Sequence, residues 1–466
     1  MHRTVGRLEP PMLRKMTIGV AIAAVLVVAA MARPGFQAPS VRNVDEKILR
    51  EYTGAYSWGS GGFVYLQLWN EFSGFDKPAQ LVAFDEDGLV RVLYPTADGE
   101  FFAGPGAAVP KSVDTRISFQ RDSGGKVTAL EWQRQGEPPR SARRAATEKH
   151  EDVRFANGGV RLAGTLISPT TGGRHPAVIL VHGSGAENRE YILPFARFLV
   201  RRGMAVLGYD KRGVGESTGD WKTASFDVLA GDVSAAFEYL KTRSDIDPAQ
   251  IGQLGVSQAG WVMPLAAVRA KDMAFLISIS GAAIPAAETT IDQAQNEMTA
   301  AGMKPETVAE IVAVMKLQYE FARTGKGWDD YAAARSRLAS KIGRPPGTIP
   351  GTPDDPFWQS IQQWYFYDPG PTLRQLRVPV LAIFGELDNN IVAAKNQPAW
   401  ETALKAGGHP DYTLRILPKA NHYQWEAKTG SNAEMASLQR FVPEYFKTID
   451  DWLAKRVRGF GAVPAR

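Results

Sequence analysis

Ser257, Asp388 and His422 occur in that order, and each directly follows a short apolar run. A serine hydroxyl is a weak nucleophile until a base accepts its proton, and that base must be oriented by a third group. Ser257 lies in Gly255-Val256-Ser257-Gln258-Ala259-Gly260, after the run Ile251–Gly255. A serine at a sharp strand-to-helix turn needs small neighbours two residues away on either side, and Gly255 and Ala259 supply them. Such a turn exposes the hydroxyl and sets the Gln258 amide at a helix start, where developing negative charge is favoured. A second run, Ala177–Val181, exits into His182-Gly183-Ser184-Gly185, a glycine-rich loop whose amides can meet a substrate oxyanion. The Ser184 amide is the first choice there and Gly185 the second, with His182 fixing the loop. The run Val380–Phe384 ends at Gly385-Glu386-Leu387-Asp388, and Tyr412–Leu417 leads to Lys419-Ala420-Asn421-His422. This constellation predicts acyl transfer to water with Ser257 as nucleophile, His422 as base and Asp388 as orienting acid, needing neither metal nor organic cofactor. Glu386 is a competitor for the acid. His409 and His175 precede their strands and so fall at the wrong sheet edge. Asp210 follows a strand but comes before the serine, and reads as an ion-pair residue holding its loop.

Three residues so far apart meet only if the elements carrying them end at one edge. From about residue 150 the chain alternates strands and helices. A hairpin (Val153–Phe155, Val160–Ile167) opens the series, and strands Ala205–Tyr209 and Phe275–Ser280 continue it, with helices near Glu190–Arg202, Phe226–Thr242 and Gln258–Arg269. Fully apolar five-residue strands between amphipathic helices predict a parallel sheet covered on both faces. Residues 284–372 break the rhythm with helical patterns at Ile291–Ala301, Pro305–Thr324 and Asp329–Ser340, which predicts a cap inserted above the sheet edge. The cap carries Phe357-Trp358 and Trp364-Tyr365-Phe366-Tyr367. Trp358, Ile361 and Tyr365 share a helical face, and Trp364 and Tyr365 are candidate substrate-binding residues.

Upstream, a short helix near Val44–Tyr52 precedes runs at Phe63–Leu68, Gln80–Phe84, Leu89–Tyr94, Arg116–Gln120 and Val127–Trp132, separated by Asp87-Gly88, Asp98-Gly99 and Gly124-Gly125. Short strands at this spacing predict a small antiparallel β domain over residues 44–134. Residues 135–149, with Arg140, Arg143, Arg144 and Lys149, read as a basic linker.

Over about residues 150–456, within an expected domain of 150–466, the chain resembles the α/β-hydrolase superfamily, in its branch of dienelactone hydrolases and prolyl-oligopeptidase-like esterases. The resemblance rests on Leu162-Ala163-Gly164-Thr165-Leu166, His182-Gly183-Ser184-Gly185, Tyr209 to Ser217, Gly255 to Gly260, Gly385 to Asp388 and Asn421-His422. Ala259 stands where that family usually has glycine. The segment 44–134 resembles, more weakly, lipocalin-like β modules. The resemblance implies an esterase or a peptidase acting on small peptides and does not choose the acyl group.

Composition narrows the rest. The chain has 466 residues and no cysteine, which excludes disulfides, thiolate metal sites and a cysteine nucleophile, and only six histidines. Residues 1–32 contain Arg3, Arg7, Arg14 and Lys15 against Glu9, followed by the apolar run Thr17–Ala32 ending Ala30-Met31-Ala32. That is the pattern of a signal peptide for the periplasm or exterior, with an uncleaved membrane anchor as the lesser reading. Met12 is an alternative start. Without the leader, the formal charge of +5 falls to +2, because four cationic residues and one acidic residue leave. So small a charge gives no reason to expect a nucleic-acid partner. The expected partner is a small ester or short peptide, with no stable membrane partner unless the leader stays.

Overall fold

A computed structural model describes residues 39–59, 62–68, 80–85, 87–190, 193–343 and 352–461. The expected leader, 1–32, lies outside the described residues. After a helix at Glu46–Tyr52, whose N-cap Asp45 accepts the Lys47 amide, eight strands follow: β1 (Gly54–Trp58), β2 (Phe63–Leu68), β3 (Leu81–Asp85), β4 (Val90–Ala97), β5 (Glu100–Ala103), β6 (Thr115–Arg121), β7 (Val127–Arg134) and β8 (Arg140–Ala145). Each pairs with its neighbour and β8 returns to β1, closing a barrel. Period-two alternation sorts the side chains. Val64, Leu66, Ala83 and Leu93 fill the barrel. Phe63, Tyr65, Val82, Phe84 and Val92 point outward, yet are also buried, because that face shares a core with the second domain.

The stretch read as a basic linker therefore contains the strand that closes the barrel. Two of its arginines are partnered: Arg140 lies over the Trp58 ring at 4.3 Å, and Arg144 Nη1 donates to the Glu51 carbonyl at 2.9 Å. Such stems cover aromatic rings while keeping their charge near polar atoms.

The second domain is an eight-stranded sheet: β9 (Glu148–Asn157), β10 (Val160–Pro169), β11 (His175–Val181), β12 (Ala205–Tyr209), β13 (Ile246–Val256), β14 (Leu276–Ile279), β15 (Val380–Gly385) and β16 (Tyr412–Leu417). Their spatial order is β9-β10-β12-β11-β13-β14-β15-β16. β10 is antiparallel to both neighbours, and the strands from β12 to β16 are mutually parallel. β11 and β13 are central and wholly apolar on both faces over Ala177–Val181 and Ile251–Val256 apart from Gln253, as strands between two helical layers must be. Helices Phe226–Lys241 and Ala259–Arg269 cover one face, and Leu193–Val200 and Glu444–Ala454 the other.

The inserted cap is helical as expected, with helices at Ala286–Ala300, Pro305–Thr324, Trp328–Ile342 and Phe357–Tyr365. It has its own core of Ile311, Phe321, Tyr331, Leu338 and Trp358. Its first helix is moored beside the sheet edge by an ion pair between Asp292 and Lys395 at 2.6 Å and by a hydrogen bond from Asn296 Nδ2 to the Asn389 carbonyl.

Candidate active site

The carboxyl ends of β11, β12, β13, β15 and β16 converge on one edge, and every candidate of the proton relay sits there. β13 runs through Gly255 into the helix Ala259–Arg269, with Ser257 at the corner in the left-handed region (φ 59°). That conformation is sparsely populated for a residue with a Cβ and is retained only where the surroundings enforce it. They do so here. The Ser257 amide donates to the Ile279 carbonyl at 3.0 Å, and the Ser257 carbonyl accepts the Gly260 amide at 2.9 Å. A Cβ on Gly255 would stand 2.4 Å from the Ala259 Cβ and 2.8 Å from the Val181 carbonyl oxygen. Gly260 is equally closed, its Cβ position being 2.4 Å from the Ala282 amide nitrogen.

The His422 and Asp388 loops are drawn together by another close approach. A Cβ on Gly385 would fall 2.4 Å from the Ala420 carbonyl, and the Leu387 amide donates to that same carbonyl at 2.8 Å. Asn421 shapes the turn, its Oδ1 accepting the Tyr423 and Trp425 amides, both at 3.0 Å. His422 Nδ1 then lies 3.0 Å from both Asp388 carboxylate oxygens, with both residues buried. Asp388 Oδ1 also accepts the Asn390 and Ile391 amides at 2.9 and 2.7 Å, so the carboxylate is fixed from two sides. Asp388 and His422 thus form a hydrogen-bonded pair. Among the described residues, the Ser257 hydroxyl and His422 Nε2 make no hydrogen bond, a looseness usual in sites without substrate.

The barrel buttresses the His422 loop. Val90 and Ala107 donate their amides to the Gln439 and Leu438 carbonyls at 3.0 and 2.7 Å, and Glu426 and Val442 then link that segment to the turn. The adjoining Trp425 is 1% exposed and packs against Phe441.

The competitors are occupied elsewhere. Glu386 accepts the Lys419 amide at 2.8 Å on the exposed side. His409 Nε2 bonds to the Val378 carbonyl and His175 Nδ1 to that of Gly203. Asp210 accepts the Arg189 guanidinium at 2.8 and 3.1 Å. Burial opposes its ionisation, but Arg189 and two backbone amides outweigh it and hold the carboxyl below its ordinary range. His182 Nε2 lies 2.5 Å from the Tyr209 carbonyl, and burial, helped by Lys211, pushes its pKa down to about 3. It is a neutral structural ring.

Two residues that hold the 182–187 loop were given no role by motif reading. Glu187 is buried and accepts the Gly183 amide at 2.7 Å. Burial raises its pKa, against the opposing pull of Lys211, the Gly183 and Gly185 amides and His422. Lys211, 2% exposed, donates to the Gly183 and Gly185 carbonyls and to Gln258 Oε1 at 2.7, 3.1 and 3.0 Å. The signals were a carboxylate in an otherwise small-residue loop and a lysine directly after β12. The Ser184 amide, by contrast, is in an exposed residue, and among the described residues neither it nor the Gln258 amide donates a hydrogen bond. Both remain available to an oxyanion.

Trp364 and Tyr365 stack at 4.0 Å in the seam where the cap core meets the sheet core.

The strand order, the antiparallel β10, the strained serine corner and the acid and histidine after β15 and β16 define the α/β-hydrolase fold. Residues 173–322 match the family described as Hydrolase_4, serine aminopeptidase, S33. Among curated relatives, the uncharacterised protein Rv2307c of Mycobacterium tuberculosis is 39% identical over 99 residues, covering 21% of this chain and 34% of that protein. Esterase EstD of Thermotoga maritima is 25% identical over 273 residues, covering 56% of this chain and 57% of the relative. The chain thus spans about a third of the length of the first relatives it matches. Among solved structures, the Pyrococcus furiosus esterase Pf2001 aligns at TM-score 0.43 and 18% identity, over 66% of this chain and 92% of that one.

Proposed function

We propose that the protein is a serine hydrolase cleaving carboxylic esters through an acyl-enzyme on Ser257. The observation that carries this reading is the buried Asp388–His422 hydrogen bond at the same sheet edge as a serine in the left-handed conformation. In the proposed cycle, the Ser257 oxygen attacks the ester carbonyl while His422 Nε2 takes its proton. Asp388 holds the other ring nitrogen protonated and stabilises the imidazolium. The Ser184 and Gln258 amides receive the oxyanion, each donor being worth about 3–4 kcal/mol in such sites. His422 then gives its proton to the leaving alcohol. Water, activated by the same base, releases the acid and restores the serine. Every step is supplied by side chains and backbone of this chain.

Two findings support the ester class: the similarity to Esterase EstD, and the aromatic pair Trp364 and Tyr365 in the seam between the cap and sheet cores. The family match over residues 173–322 carries the name serine aminopeptidase and favours a second reading, a peptidase of small peptides using the same relay. The test is turnover of a p-nitrophenyl ester and an aminoacyl-p-nitroanilide panel by the protein and its Ser257→Ala variant. Ester turnover lost on substitution supports the proposal. Ester turnover retained by the folded variant overturns it, and preferential anilide cleavage moves it to the peptidase reading. The leader pattern makes export part of the proposal, tested by the fraction in which the protein is recovered with and without residues 1–32.

A further inference from the structure

Lys211 is buried, and its three donors are all spent on the loop and residue that own the two candidate oxyanion amides. Nζ donates to the Gly183 carbonyl at 2.7 Å, to the Gly185 carbonyl at 3.1 Å and to Gln258 Oε1 at 3.0 Å. An ammonium has three donors and no acceptor, so its hydrogen-bonding capacity is filled. The Gly183 carbonyl and the Ser184 amide belong to one planar trans peptide, whose C=O and N–H point in opposite directions. Holding the carbonyl inward on Lys211 therefore turns the Ser184 N–H outward, to the exposed side of the loop. The preceding peptide plane, His182–Gly183, is fixed as well, because the Glu187 carboxylate accepts the Gly183 amide at 2.7 Å. Gln258 is the residue whose own amide follows Ser257.

We propose that Lys211, paired with Glu187, is the positioning residue of the oxyanion hole, and that its charge reaches the transition state by polarising the Gly183–Ser184 peptide. The proposal rests on the serine-hydrolase reading above and adds to it a group that touches no substrate. A cation on the carbonyl end of a peptide makes the N–H at the other end a stronger donor in a low-dielectric site. A buried ammonium is costly, and Glu187 compensates it. Burial brings the Lys211 pKa down to about 8, with Glu187 pulling the other way. The other groups facing it are His182 and Tyr209, both held neutral by burial, Asp232 from the helix Phe226–Lys241, and the Trp221 ring at 5.1 Å. Asp232 is already engaged by Arg212, which leaves Glu187 as the compensating charge.

The experiment compares the full chain with Lys211→Met and with the double variant Lys211→Met, Glu187→Gln, which removes both charges and so avoids stranding a buried carboxylate. Loss of one oxyanion donor typically costs about 100- to 1,000-fold in kcat. Loss of the group that aims and polarises one should cost about 10- to 100-fold, in kcat and not in KM, and should slow fluorophosphonate labelling of Ser257 by a similar factor. A folded double variant with kcat within about threefold of the parent, or a loss confined to KM, overturns the proposal. The unmodified protein gives an independent readout: kcat should fall as pH rises through about 8, because the deprotonated amine no longer polarises the peptide, and a kcat flat to about pH 10 also overturns it. Absence of labelling at Ser257 in the parent would instead defeat the serine-hydrolase reading itself, so the two failures are distinguishable.

Discussion

Asp388→Asn is expected to abolish turnover while leaving the fold intact, and the structure fixes why. Oδ1 of Asp388 accepts two backbone amides, from Asn390 at 2.9 Å and Ile391 at 2.7 Å. An asparagine there must place its carbonyl oxygen on those amides, since its NH2 group would meet two donors. The NH2 then takes the Oδ2 position, 3.0 Å from His422 Nδ1. With one of the two groups facing Nδ1 turned from acceptor to donor, the balance shifts towards the tautomer that carries its proton on Nε2, the nitrogen that must accept the Ser257 proton. The wrong tautomer of this kind lowers kcat by about 10⁴, or roughly 5 kcal/mol of activation free energy. The side chain keeps its two backbone bonds and its volume, so the melting temperature should move by only a few degrees. Steady-state turnover of a p-nitrophenyl ester, with circular-dichroism melting on the same preparation, measures both. A kcat within about tenfold of the parent would refute the tautomer argument, and so would a loss accompanied by unfolding.

Gly255→Ala should destabilise the protein by at least the 1–3 kcal/mol typical of overpacking, because the new methyl meets the Ala259 Cβ at 2.4 Å and a backbone oxygen at 2.8 Å; urea unfolding checks this, and an unchanged midpoint contradicts it. Trp364→Ala should alter the ratio of kcat/KM for acetyl and octanoyl esters, whereas equal losses for both would make the residue one of packing alone. Glu148 has a pKa of about 2: burial opposes ionisation, but the Arg197 guanidinium and His150 outweigh it. Its folded value lies below the unfolded one, so its contribution, on the order of 3 kcal/mol, is fully present above about pH 4.5 and lost as pH falls towards 2. Unfolding midpoints of the parent and Glu148→Gln should therefore converge at low pH, and a constant gap would contradict the assignment.

Much of the second domain was legible because its signals are local. An apolar five-residue strand followed by glycine and serine reads the same in sequence and in space, and Ala205–Tyr209 and Tyr412–Leu417 fall where their composition puts them. The barrel was legible only in part. β1 and β5 are short, and β8, Arg-Ser-Ala-Arg-Arg-Ala, resembles a solvated linker until Trp58 and Tyr56 are seen beneath its guanidinium groups. The outward face of the barrel is apolar because a second domain covers it, a tertiary fact no strand pattern contains. At the site, Ser257, Asp388 and His422 follow from order and strand position. Lys211 and Glu187 do not, since 24 positions separate them in the chain and their partners are mostly backbone atoms of a loop, to which motif reading is blind.

The central claim is that Ser257 becomes acylated. Rapid mixing of the protein with an excess of a p-nitrophenyl ester, followed by acid quench and peptide mapping, tests it directly. The account predicts a burst of p-nitrophenol equal to the enzyme concentration and one acyl group on the peptide containing Ser257. Turnover without that adduct, or an adduct on another residue, would contradict it.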